Sequence, residues 1–205
     1  EAFLLGNYLR ELDPQALLVL GPVPTAGANE TFKNSLTGKQ TFTIQAEKVP
    51  NKAGILRVFK LLGGPLADFD PFIAGGDLTK TLKAGWIVGG YLSEWVGKSV
   101  FPKGYKVVQD IFGSGMADKA DIVLPAATWA EKDGCWENYA GKIQAFAGIA
   151  PIEGVRREGD VYMKLLGRTG PYQAGAVRAE MGEPFMSVHL PSAKREEPAF
   201  EFAPL

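Results

Sequence analysis

Three short apolar segments constrain this chain more than anything else in it: Gly85 to Val88 (GWIV), Tyr105 to Gln109 (YKVVQ) and Asp121 to Leu124 (DIVL). Each is four or five residues long, rich in β-branched or aromatic side chains, and apolar on both faces. Such runs fit strands covered from both sides, which is the signature of a parallel sheet. Parallel strands need crossovers, and the intervening stretches supply them. Gly115 to Ala120 reads as a short helix-like piece, and Pro71 to Thr81 as a short helical or turn segment. The pattern predicts an α/β fold, with a Rossmann-like, mostly parallel sheet covered by helices.

The rest of the chain extends that plan. Phe3, Leu4, Leu5, Tyr8, Leu9 and Leu12 recur at helical spacing from Ala2 to Leu12, and Asp13-Pro14 stops them. Ala16 to Leu20 reads as a buried strand, and Thr41 to Ala46 alternates as a strand. Ala53 to Leu62 reads as a helix ending at Gly63-Gly64. Ala126 to Gln144 reads as a long polar and aromatic loop feeding a strand over Lys142 to Phe146, and Asp160 to Leu166 as a closing helix. These readings divide the chain into an α/β domain over residues 1–168 and an irregular, extended tail over 169–205. In that tail Phe200 and Phe202 alternate, so both project to one side of an extended strand.

Composition excludes several functions. The chain has 22 Lys and Arg against 23 Asp and Glu, a formal charge of −1, which gives no electrostatic footprint for nucleic acid. No stretch approaches the roughly 20 apolar residues of a membrane helix, so no direct membrane insertion is expected. One cysteine and one histidine are too few to build a zinc site or iron–sulfur cluster from this chain alone, so no metal ligands are assigned. Cys135 has no base near it in sequence, and Glu131, Lys132, Asp133 and Glu137 read as a solvated loop with internal ion pairs. No catalytic residue is assigned. The chain opens inside an amphipathic helix without a Met, and it reads as a piece of a longer polypeptide. The best-placed glycine pair is Gly89-Gly90, because ligands of open α/β sheets sit at the carboxyl ends of strands.

The stretch Val107 to Gln144, VVQDIFGSGMADKADIVLPAATWAEKDGCWENYAGKIQ, resembles the molybdopterin oxidoreductase family. Members of that family typically carry VVQD-[IM]-F-x-T-E-T, then ADVVLPAA, then EKDGTFTNxEGRxQ, in this order. Upstream, KAGWIVGGY is similar to the family's strand that ends in Gly-x-Asn-Pro. The earlier stretch FTIQAEKVPNKAGILRVFKLLGG resembles the large iron–sulfur subunit of bacterial NADH-quinone oxidoreductases, the family of respiratory complex I, where Ala-Glu-x-x-Pro-Asn-x-x-Gly precedes a helix. The resemblance implies a pterin-nucleotide pocket at Gly89, Gly90, Gln109, Asp110, Asn138 and Lys142.

The sequence departs from the family pattern at that pocket. Ser114-Gly115-Met116 stands for the Thr-Glu-Thr triplet, Gly89-Gly90-Tyr91 lacks Asn and Pro, and Lys142 replaces Arg. A site that loses polar donors loses charge-assisted hydrogen bonds of roughly 1.5–3 kcal/mol each, and lysine cannot form arginine's bidentate fork. The resemblance therefore implies a degenerate pocket, with no cofactor expected in this segment and with iron–sulfur clusters in an N-terminal part. The implied role is a scaffold within a respiratory or redox complex, partnered by its other subunits, in a peripheral arm on the cytoplasmic side of the inner membrane. The alternatives are the C-terminal part of a catalytic member such as a formate dehydrogenase, holding a molybdenum or tungsten bis-pterin, or a structural module without a redox role.

Overall fold

A computed structural model describes residues 1–75, 80–90, 104–149, 154 and 156–188. His189, Phe200 and Phe202 lie outside the described residues, as do Tyr91 and Trp95.

Helix α1 (Ala2–Leu12) follows the predicted boundaries. Its apolar stripe buries Leu4 completely. It packs closely on α2 (Lys52–Leu62) at Gly6, where a Cβ would stand 2.3 Å from Leu62 Cδ1 and would push that side chain aside. Helix α2 stops at Gly63, which adopts φ +64°, a conformation open to glycine at little steric cost. Arg10 fixes the exit from α2 by donating to the carbonyls of Gly63 and Pro65 at 2.8 and 3.0 Å. That exit leads into β4 (Leu66–Ala67), which pairs in parallel with β1 (Leu18–Val19). Between β1 and α2, strands β2 (Glu30–Lys33) and β3 (Gln40–Ile44) form an antiparallel hairpin whose Phe32 and Phe42 rings stack 4.7 Å apart. A short helix α3 (Phe69–Ala74) follows β4.

The three apolar segments form the sheet expected of them. Strands β5 (Ala84–Val88), β6 (Tyr105–Asp110) and β7 (Ile122–Pro125) are parallel, in the order β5-β6-β7. Because side chains alternate across a strand, Ile87 and Val108 pack on one face with Phe72 and Met116. Trp86 lies on the other, against a cluster of Leu4, Tyr162, Tyr172 and Val177. The protein is therefore α/β with a parallel sheet between helical layers.

The second half departs from the sequence reading in two places. The expected loop 126–144 contains a strand, β8 (Gly134–Glu137), which pairs antiparallel with β9 (Ile143–Phe146). Beyond α4 (Glu158–Leu165), residues 174–181 form a further helix, α5 (Ala174–Met181). Tyr172, Ala174, Val177 and Phe185 are all buried, so the packed body continues through the segment read as the start of a tail. Helix α5 has little apolar periodicity of its own. It forms where its few apolar residues meet surfaces supplied by α1, α4 and β8, which local propensity does not encode.

Candidate functional site at the strand ends

Strands β5, β6 and β7 end together at Val88, Asp110 and Pro125, as parallel register requires. The Gly89 amide donates to the Gln109 carbonyl at 2.8 Å, and the Ala126 amide to the Asp110 carbonyl at 3.0 Å, so both turns leave the sheet in fixed directions. Asp110 is 8% exposed, and its Oδ1 accepts from the Phe112 amide at 3.1 Å. The Asp110 carboxylate lies over the backbone of Gly89: a Cβ there would stand 1.8 Å from Oδ2. Gly90 follows at φ +139°, with open space where its Cβ would be. A cleft borders this mouth at Val88, Gly89, Gly90, Ile111 and Trp129.

Gly89, Gly90 and Asp110 thus meet as the sequence reading expects. The other three candidates are engaged elsewhere. Gln109 points to the opposite face of β6 and is fully buried. Its Oε1 accepts from Tyr162 Oη at 2.6 Å and from Trp86 Nε1 at 3.3 Å. Asn138 caps its own hairpin turn, with Oδ1 accepting from the Ala140 and Lys142 amides at 2.9 and 3.0 Å. Lys142 is exposed on that hairpin. Of the Ser114-Gly115-Met116 triplet, Ser114 Oγ accepts from the Ala117 amide at 3.2 Å and starts a short 3-10 turn, while Met116 fills the core below the sheet.

A pterin dinucleotide needs one cradle that combines glycine turns with donors for its phosphates. The turn is present, but Gln109 and Asn138 are engaged in the protein's own core and backbone, and Lys142 stands exposed on its hairpin. The six assigned residues do not meet in one cradle.

The Glu131–Gly134 turn corrects another reading. It is not a solvated loop with internal pairs. Glu131 closes a capping box with Thr128, whose amide it accepts at 2.6 Å. Lys132 Nζ lies 2.5 Å from Glu158 Oε1 and 3.0 Å from Glu1 Oε2, with little of its side chain exposed. Burial pulls the Lys132 ammonium down, but the carboxylates of Glu1 and Glu158 more than offset it and hold the group above its ordinary value. Asp133 caps α5 from 41 positions away by accepting the Ala174 amide at 2.7 Å. Glu137 is buried and pairs with Arg57. Its amide donates to Asn51 Oδ1 at 2.8 Å, and Gly54 leaves room for that approach, since a Cβ there would stand 2.3 Å from the same oxygen. The Pro-Asn-x-x-Gly pattern therefore meets Glu137 in a joint between α2 and β8. Among the described residues no cluster of three metal-ligating side chains occurs, and no helix is long and apolar enough to cross a membrane.

A parallel α/β sheet with a glycine turn at its strand ends defines a broad class of proteins. Residues 80–160, which carry β5 through β9, match the model of the molybdopterin oxidoreductase family. The assimilatory nitrate reductase of Haloferax mediterranei is 33% identical over 87 residues, which make up 41% of this chain and 12% of that protein. A formate dehydrogenase alpha subunit of Methanocaldococcus jannaschii is 49% identical over 62 residues, 30% of this chain and 9% of the relative. A second formate dehydrogenase alpha subunit, from Methanococcus maripaludis, is 58% identical over 38 residues, 18% of this chain and 6% of the relative. The matched part thus spans about a tenth of these curated relatives or less.

Proposed function

We propose that this chain is a packing segment in the large subunit of a multi-subunit oxidoreductase, with a strand-end pocket that no longer holds a pterin dinucleotide. One observation carries the reading: of six residues assigned to the pocket, only Gly89, Gly90 and Asp110 meet at the mouth, while Gln109 and Asn138 are hydrogen-bonded elsewhere and Lys142 is exposed. The Ala-Glu-x-x-Pro-Asn-x-x-Gly stretch favours the large iron–sulfur subunit of an NADH:quinone oxidoreductase. There the clusters would lie in an N-terminal part, electrons would run from NADH toward quinone past this segment, and the assembly would form a peripheral arm on the cytoplasmic side of the inner membrane.

The identities of the relatives favour a second reading, a catalytic subunit of the formate dehydrogenase or nitrate reductase kind holding a molybdenum or tungsten pterin. Elemental analysis of the intact purified subunit separates the two. The first reading expects no molybdenum or tungsten. About one atom of either per subunit overturns it and establishes the second.

A further inference from the structure

We propose that helix α4 sets the geometry of the strand-end mouth, with Tyr162 and Glu158 as positioning residues that hold its two sides. The proposal concerns the frame of the mouth and is independent of what occupies it.

Glu158 and Tyr162 are four positions apart on α4, so their side chains leave one face of the helix. Both are nearly inaccessible to solvent. Tyr162 Oη donates to Gln109 Oε1 at 2.6 Å, and Gln109 immediately precedes Asp110 at the end of β6. Glu158 accepts from Lys132 Nζ at 2.5 Å and from the Ala127 amide at 3.4 Å. Ala127 lies two residues past Pro125, the end of β7. One helix face therefore grips the carboxyl end of β6 with one side chain and the chain leaving β7 with the other. Trp86 Nε1, also on Gln109 Oε1, ties β5 into the same point.

The chemistry of this brace argues for orientation rather than stability. Among the described residues Gln109 Nε2 is buried without a hydrogen-bond partner. A buried donor left unmade is expensive, whereas an apolar pair of the same shape at Gln109 and Tyr162 would leave only the half-buried Trp86 indole N–H without its acceptor. A core selected only for packing would not keep an amide there. What the amide supplies is a directional bond at a defined atom, one peptide from the carboxylate that covers Gly89.

Amide hydrogen exchange on the full 205-residue chain tests this, read at Gly89 and Ala126, whose amides hold the mouth, and at Val108 in mid-strand. Tyr162→Phe should speed exchange at Gly89 and Ala126 about tenfold, with Val108 changing only as far as the shift in melting temperature requires. A uniform change across the three amides, or none, overturns the proposal. The double variant Gln109→Met/Tyr162→Phe removes both polar partners and covers the case in which the single variant unfolds. It strands only the Trp86 indole N–H, so it should regain most of the melting temperature lost by the single variant while Gly89 and Ala126 stay about tenfold fast. Recovery of mouth protection together with the melting temperature would show that the pair only stabilises the core, and would also overturn the proposal.

Discussion

The strand-end mouth and the Glu131–Gly134 turn lie close along the chain but use their polar groups in opposite ways. At the mouth, residues typical of a ligand site are present, yet most of their hydrogen-bonding capacity is turned back into the fold. At the turn, residues typical of a solvated loop are held by the body: Glu131 closes the cap of its own turn with Thr128, while Lys132 and Asp133 find partners on other elements, Glu158 of α4 and the first amide of α5. The Glu-Lys-Asp-Gly turn joins the β7 exit, α4 and α5, and each joint has a strict distance requirement that substitution would violate.

The largest expected effect tests the turn. Lys132→Ala removes the ammonium paired with Glu158 and leaves that carboxylate buried, a change that typically costs about 3–5 kcal/mol. Urea denaturation of the chain should show a loss near the lower end of this range, because Lys132 keeps some solvent contact and Ala127 still donates to Glu158. A loss below about 1 kcal/mol would mean that the turn is as loosely held as its composition implies, and the contrast would collapse.

A smaller effect comes from acid. Burial alone would raise the Asp160 carboxyl, but the hydrogen bonds from Arg157 and the Tyr172 amide hold it below its ordinary value. A carboxyl whose pKa is depressed on folding stabilises the protein above its unfolded value and loses that contribution as pH falls through the folded one. Stability should therefore decline below about pH 4, and Asp160→Asn should flatten that limb while lowering stability at pH 7. An unchanged acid limb in the variant would mean that Asp160 does not link α4 to the entry of α5.

The sheet was legible in sequence because its strands are apolar on both faces, a pattern few alternatives satisfy. Gln109 was half legible. The alternation Val107, Val108, Gln109, Asp110 puts Gln109 and Asp110 on opposite faces, so both could not line one mouth, and period two alone carries that signal. Strand β8 and helix α5 were not legible, because what stabilises them is remote. Gly134 packs under the Phe146 ring, where a Cβ would lie 2.5 Å from Cζ. Asp133 supplies the cap that Gln173 does not provide. The partners of Lys132 are equally distant, with Glu158 26 positions away. No window of local sequence contains both halves of such contacts.

The smallest effect sharpens the comparison from the other side. Lys142 is the one cation the sequence assigns to the pocket, standing where the family has Arg. It is exposed, and the atom that holds it in place is its own amide, bonded to Asn138 Oδ1. That bond survives truncation of the side chain. Lys142→Ala should therefore change stability by less than about 0.5 kcal/mol, as for an ordinary surface position, while Lys132→Ala ten residues earlier is severe. The same pair of variants reads on function when made in the intact subunit. If the pocket is idle, Lys142→Ala leaves subunit assembly and electron-transfer rate within twofold of the parent. A more than tenfold loss of rate with assembly intact would show that the exposed ammonium meets an anion in the assembled protein, and would favour the catalytic reading over the packing one.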